Sequence, residues 1–186
     1  MKFFWTILLL IILGSGVLIF KNRTPEEKKE PIQIHLRSKD GDFRLSDQAF
    51  SITLVYFGFL SCPDICPSTL NSLSAILKDL NEEKLSKIRV LFIDVDPERD
   101  DISRLHDYVT YFHPSILALT GTEKELLEIA GKFYATFQKV PLDSEMGYTM
   151  DHSTGIYILD GENIWRETIP HGVSKEIFMS YLNKYF

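Results

Sequence analysis

The sequence predicts an α/β domain built on a mostly parallel central sheet, and three features of the 186-residue chain predict it. Apolar, β-branched runs (SITLVYFGFL, KIRVLFIDVD and SILALTG) alternate with segments whose apolar residues fall at helical spacing. That alternation is the pattern of strands covered on both faces by crossover helices. A closing strand pair, STGIYILDGENIWRETI, turns about Asp160-Gly161 and predicts an antiparallel edge. An early alternating stretch, PIQIHLRSKDGDFRL, turns about Lys39-Asp40-Gly41 and predicts an N-terminal β-hairpin extension.

Each helix has its own signal. CPSTLNSLSAILKDLNEE places Leu70, Leu73, Ile76, Leu77 and Leu80 on one face. ERDDISRLHDYVTYF predicts a second helix with Asp100 or Asp101 as its N-cap. TEKELLEIAGKFYATF predicts a third, opened by Thr122 with Glu125 three residues on, a capping box. In it Phe133, Tyr134 and Phe137 are expected to pack into the core. SKEIFMSYLNKYF predicts a last helix. With 45% hydrophobic residues and 13 Phe, the chain has the material for a real core, and disorder of its bulk is excluded. A net charge of −6 without a basic run gives no footprint for nucleic acid.

The first residues are of another kind. Residues 3–20, FFWTILLLIILGSGVLIF, carry no charge and are about long enough to cross a bilayer as a helix. The expected organisation is an N-terminal membrane anchor over 1–21, a polar tether over 22–30 and a folded domain over 31–186. A cleavable signal peptide fits less well, because the run returns to Val-Leu-Ile-Phe after Gly14-Ser15-Gly16.

Both cysteines of the chain, Cys62 and Cys66, lie in the turn that ends the first central strand. In open α/β sheets, function gathers beyond the carboxyl ends of the strands. Residues four apart share one face of a helical turn, so the sulfurs could close a disulfide or grip one ion. A helix N-terminus favours thiolate, which serves as nucleophile and as metal ligand alike. Two sulfurs are too few for structural zinc but suit Cu(I), which accepts two or three soft ligands, a histidine being the natural third. Of the five histidines, His35 falls in the first hairpin, His106 and His113 on or after the second helix, expected at the surface, and His171 in a loop. His152, beside Asp151 and just before a strand, is a candidate ligand whose tautomer the neighbouring carboxylate could set. Met146 and Met150 are soft donors nearby, for which ordinary packing is expected. The alternating acids of FIDVDPERDD fail the EF-hand pattern, with Arg99 at the glycine position and Leu105 at the final glutamate position.

YFGFLSCPDICP, FIDVDPERDD and DHSTGIYILD, in this order and spacing, resemble the Sco/SenC family of copper-binding, membrane-anchored assembly factors for cytochrome c oxidase. The resemblance covers about residues 31–186. It implies a thioredoxin-like fold and a copper ion held by Cys62, Cys66 and His152, with Asp94 as an auxiliary residue and Asp96 close by. It further implies a copper chaperone rather than an enzyme, with oxidase subunit II and its CuA centre as recipient and another periplasmic copper carrier as donor. The domain would then face the periplasm from a single-pass inner-membrane anchor. The alternative is a thiol-disulfide oxidoreductase, with Cys62 attacking and Cys66 resolving; a peroxide reductase passing through a Cys62 sulfenic acid is more remote. The departures from the family pattern, Leu60-Ser61 before the first cysteine and the short turn at Gly161-Glu162-Asn163, touch no implied ligand.

Overall fold

The computed structural model describes residues 30–47 and 50–186. The predicted anchor, and the tether up to residue 29, lie outside the described residues; among those described, no helix is long and apolar enough to cross a membrane.

The N-terminal hairpin is present as β1 (His35–Ser38) and β2 (Gly41–Arg44), turning at Lys39-Asp40. Gly41 has φ 118°, in the region that favours glycine, which is why the turn closes there. The core is a five-stranded sheet. Its central strand is β3 (Ile52–Gly58), flanked by β4 (Ile88–Asp94) in parallel and β8 (Ile156–Asp160) in antiparallel. Beyond β4 lies β5 (Ile116–Leu119), parallel, and beyond β8 lies β9 (Trp165–Ile169), antiparallel. The spatial order is therefore β5-β4-β3-β8-β9. Every residue of β3 and β4 is buried, as continuous apolar strands in the middle of a covered sheet must be.

Helix α1 (Ile65–Asp79) connects β3 towards β4 and packs beside α3 (Ile102–Phe112) and α5 (Lys175–Leu182). It buries Leu70, Leu73, Ile76 and Leu77, the predicted stripe. It ends at Leu80, and a separate short α2 (Glu82–Leu85) follows with Asn81 as its N-cap, where a single helix was expected. Asp101 caps α3, accepting from the Ser103 and Arg104 amides; the segment expected as its first turn, from Glu98, is a turn outside the helix. Helix α4 (Glu123–Lys132) opens on the predicted capping box. Successive residues of a strand face opposite sides. Tyr56 faces Phe92 and the α1 side, whereas Phe57 meets Phe133, just past α4, edge to face with centroids 5.8 Å apart.

Three sequence-based expectations give way here. Helix α4 was expected to run to Phe137 but stops at Lys132, because Tyr134 turns to φ 51° and the chain then extends. Of its aromatic trio, Phe133 alone is a core residue; Tyr134 is 86% exposed and Phe137 is half-buried. The freed segment becomes β6 (Phe137–Pro141), paired antiparallel with β7 (Tyr148–His152), a hairpin that the sequence reading did not anticipate. His113 is buried rather than at the surface, its Nδ1 accepting from the Ser115 amide, and burial holds its pKa below the ordinary imidazole value.

Gly58, the last residue of β3, is where sheet and site meet. A Cβ there would stand 2.7 Å from the Phe92 ring and 3.0 Å from Cys66 Sγ. Such overpacking costs about 1–3 kcal/mol. Gly58→Ala is therefore expected to lower stability by that amount in urea unfolding and to move Cys66. A variant as stable as the parent would show that the contact relaxes freely.

Candidate metal centre

The chain leaves β3 at Gly58, turns through Phe59 to Asp64 and enters α1. Cys62 lies half-buried in the turn, and Cys66 is fully buried in the first helical turn; both are free thiols. The amides at the start of a helix lack intrahelical partners. Asp64, at the N-cap position, makes no side-chain capping bond; instead the Cys66 amide donates to Cys62 Sγ at 3.3 Å. The sulfur thus occupies the place of a capping oxygen.

This arrangement makes the thiols unequal. The Cys66 thiol, then the Cys66 amide, stabilise charge on Cys62, and its pKa falls to about 4. The Cys62 sulfur in turn holds the proton on Cys66, and burial adds to the effect, so the Cys66 thiol is pushed far up. At neutral pH the pair is one thiolate and one thiol. Burial, then the neighbouring Cys66, also keep Tyr56 protonated.

His152 ends β7, opposite Phe137. Its Nε2 stands 3.8 Å from Cys66 Sγ, across 86 positions of sequence. Its Nδ1 is 3.0 Å from the Ser153 carbonyl oxygen, which can only accept. Nδ1 therefore carries the proton, and the Nε2 lone pair faces the sulfurs. The expected tautomer-setting partner, Asp151, is exposed; the backbone carbonyl does that work. The Phe59 ring meets the imidazole edge-on at 5.7 Å.

The donor atoms of Cys62, Cys66 and His152 all lie within 4.8 Å of one another. Metal–ligand bonds of about 2.0–2.3 Å put the donors of a three-coordinate ion roughly 3.5–4 Å apart, so the set needs little adjustment to close on an ion. Two soft sulfurs and an imidazole suit copper by chemistry. Cys62 and His152 open on a cleft of about 240 Å³ whose lining includes Phe59, Pro63, Met150 and Asp151, with Cys66 buried behind them. Met150 is buried and packs there, as expected, while Met146 is exposed in the loop between β6 and β7. The other histidines stand apart from the triad. His35 is exposed, His106 is half-buried on α3, and His171 bonds Thr69 at 2.9 Å.

The acidic motif lies outside the group of three converging donors. Asp94, expected as an auxiliary residue, is fully buried; it accepts from the Asp96 amide and from the Thr120 hydroxyl. Burial raises its pKa to about 7. Asp100 accepts from the Leu60 amide at 2.7 Å and so ties down the cysteine turn. Asp96 bonds Arg99 and the Tyr148 hydroxyl, on the strand that ends in His152. Asp100, Arg99 and Tyr148 escaped the sequence reading as site residues. The run DPER held the one available signal, an arginine three residues after an aspartate that closely follows a buried strand.

A dithiol and an imidazole converging at the end of a central strand define a soft-metal type of centre on an α/β sheet. The SCO1/SenC family profile matches residues 31–186, and the chain belongs to that family. It is 37% identical over 174 residues to a SCO2-like protein of Rickettsia conorii, covering 86% of this chain and 84% of that one. The structure of Arabidopsis thaliana ScoI with copper bound superposes with a TM-score of 0.75 at 29% identity, over 83% of this chain and 96% of that one. Yeast Sco1 with copper bound gives 0.72 at 30% identity, over 85% and 91%. The fold is accordingly the α/β thioredoxin-like Sco fold.

The inequality of the thiols sets the pH window of their chemistry. An ordinary cysteine becomes thiolate near pH 8.5. Cys62, with its pKa lowered to about 4, is thiolate above that pH and loses reactivity only as the pH falls through it. The rate of alkylation at Cys62 is expected to titrate in that acid range. In Cys66→Ala, which lacks the donating thiol, the midpoint moves up. A wild-type midpoint near 8.5 would show that the pair is not coupled in this way.

Proposed function

We propose that this protein is a membrane-anchored copper chaperone that carries one copper ion on Cys62, Cys66 and His152 and delivers it to the CuA centre of cytochrome c oxidase subunit II. The observation that carries the reading is the meeting of Cys66 Sγ and His152 Nε2, at 3.8 Å, from segments 86 residues apart. Dithiol exchange has no need of that imidazole. Family membership and the copper-bound relatives from Arabidopsis and yeast support copper as the cargo. The uncharged run 3–20 supports a single-pass anchor in the inner membrane, with the polar stretch 22–30 as tether and the domain on the periplasmic side, where a periplasmic carrier would act as donor.

The residues divide the work. Cys62, already thiolate, is the first ligand to meet an incoming ion. Cys66 follows by giving up its proton, so that loading near neutral pH releases about one proton instead of two. His152 offers the Nε2 lone pair that faces the sulfurs. A site of two sulfurs and one nitrogen beside an open cleft leaves room for a recipient's ligand to enter, and release proceeds by stepwise exchange.

A second reading has its own support. A half-buried thiolate ahead of a buried thiol is also the arrangement of an attacking and a resolving cysteine. The Cys62 thiolate would attack a partner disulfide and expel one partner sulfur as thiolate. Cys66, losing its proton, would then displace the second, leaving a Cys62–Cys66 disulfide and a reduced partner.

Anaerobic copper(I) titration of the reduced full chain in detergent micelles separates the two. His152→Ala is expected to weaken copper binding at least about tenfold, as loss of a ligand should. Its rate of reducing a small model disulfide is expected to stay close to that of the parent. Unchanged copper affinity and stoichiometry in His152→Ala would overturn the carrier reading and favour the oxidoreductase.

A further inference from the structure

We infer that Arg99 is a positioning residue for the metal centre: with Asp96 and Tyr148 it clamps the hairpin that carries His152 to the turn after β4, and so sets the approach of the imidazole to the thiols. The inference rests on the three-ligand reading above.

The hairpin needs such a hold. Strands β6 and β7 form a two-stranded sheet of their own, separate from the five-stranded sheet that supports the cysteine turn. An isolated two-stranded ribbon is marginal in water. His152 is its last residue and Tyr148 its first on β7. Four strand steps of about 3.3 Å put them roughly 13 Å apart. Near His152 the hairpin is held because both its strands run directly into the fold: β6 follows the buried Phe133, and β7 leads into β8 at Ile156. One fixed end leaves the direction of a strand free; a second fixed point, at Tyr148, determines it.

Arg99 supplies that second point. Its Nε donates to Asp96 Oδ2 at 2.6 Å, and its Nη2 lies 2.6 Å from the same oxygen. Its Nη1 reaches across to the Tyr148 carbonyl at 2.9 Å and the Met146 carbonyl at 3.3 Å. The guanidinium lies 3.6 Å from the centroid of the Tyr148 ring, whose hydroxyl donates to Asp96 Oδ1 at 2.8 Å. The Asp96 side chain is fully buried and that of Arg99 is 25% exposed, so the contacts are shielded from water. Glu98 and Lys139, an ion pair at 2.5 Å, span the same junction at the surface. A lysine at 99 has no planar fork with which to bond a carboxylate and two carbonyls at once.

The test is anaerobic copper(I) competition with a chromophoric chelator on the reduced full chain in detergent micelles. Arg99→Ala is expected to weaken copper binding about tenfold, the size of effect seen when a group supporting a metal ligand is lost. Arg99→Lys is expected to restore part of that loss. Arg99→Ala combined with His152→Ala is expected to bind no more weakly than His152→Ala alone, because the clamp acts through the imidazole. Without metal, the ring NMR signals of His152 are expected to shift in Arg99→Ala. Should that variant fail to fold, Tyr148→Phe, which removes only the hydroxyl bond to Asp96, carries the same comparison with a smaller loss. Wild-type affinity in these variants, alongside a weakened His152→Ala, would overturn the clamp alone. Additive losses in the double variant would also overturn it, since they reveal a general structural effect. Unchanged affinity in His152→Ala would overturn the three-ligand reading and the clamp with it.

Discussion

Three carboxylates withdrawn from water at and just after the end of β4 are the constraint on which the site depends. Asp94, Asp96 and Asp100 are all buried. Buried acids must be protonated or paired, or the fold loses several kcal/mol. Asp94 meets the demand by holding its proton up to about pH 7 and accepting from Thr120. The other two meet it outward. Asp100 takes the Leu60 amide from the cysteine turn, and Asp96 takes Arg99 and the Tyr148 hydroxyl from the histidine hairpin. One short turn thereby holds both arms of the centre, and the desolvation that makes it costly also makes its partners hard to replace.

The dithiol shows the same economy. A sulfur at the mouth of a helix accepts an amide that has no helical partner, and the buried neighbour keeps its proton while donating a hydrogen bond to that sulfur. Charge is thus concentrated on the cysteine nearer solvent, while the deeper one remains neutral until something replaces its proton. For a carrier this separates capture from closure. For a dithiol reductase it separates attack from resolution. The imidazole, fixed as the Nδ1 tautomer by a backbone carbonyl, is what gives the centre a further donor beyond the sulfurs.

Much of the fold was legible because the sheet is buried on both faces. The runs over β3, β4 and β5 are continuous apolar segments between helices with recognisable caps, and the Thr122–Glu125 box stands where the pattern places it. What misled were segments in which local and tertiary preferences disagree. Phe133, Tyr134 and Phe137 are at helical spacing, yet Phe133 drops into an aromatic cluster with Tyr157 and Trp165 while Tyr134 turns outward, and the helix ends. The β6–β7 hairpin has little hydrophobic alternation of its own, because its burial depends on contacts made elsewhere. His113 reads as a surface residue until Ser115 and the core around it are known.

The sequence by itself determined the chemistry on offer. Two thiols at a helix mouth, the family motifs and the candidate histidine at 152 are matters of residue type and spacing, which survive any folding error. The tertiary structure alone decided how they are used. It brought Nε2 to Cys66, chose a carbonyl over Asp151 to set the tautomer, split the protons of the pair, and tied the acidic motif to both arms of the centre. The physical reason is that all of these depend on distances between segments remote in sequence and on the loss of water around them, and neither quantity is written in a local pattern.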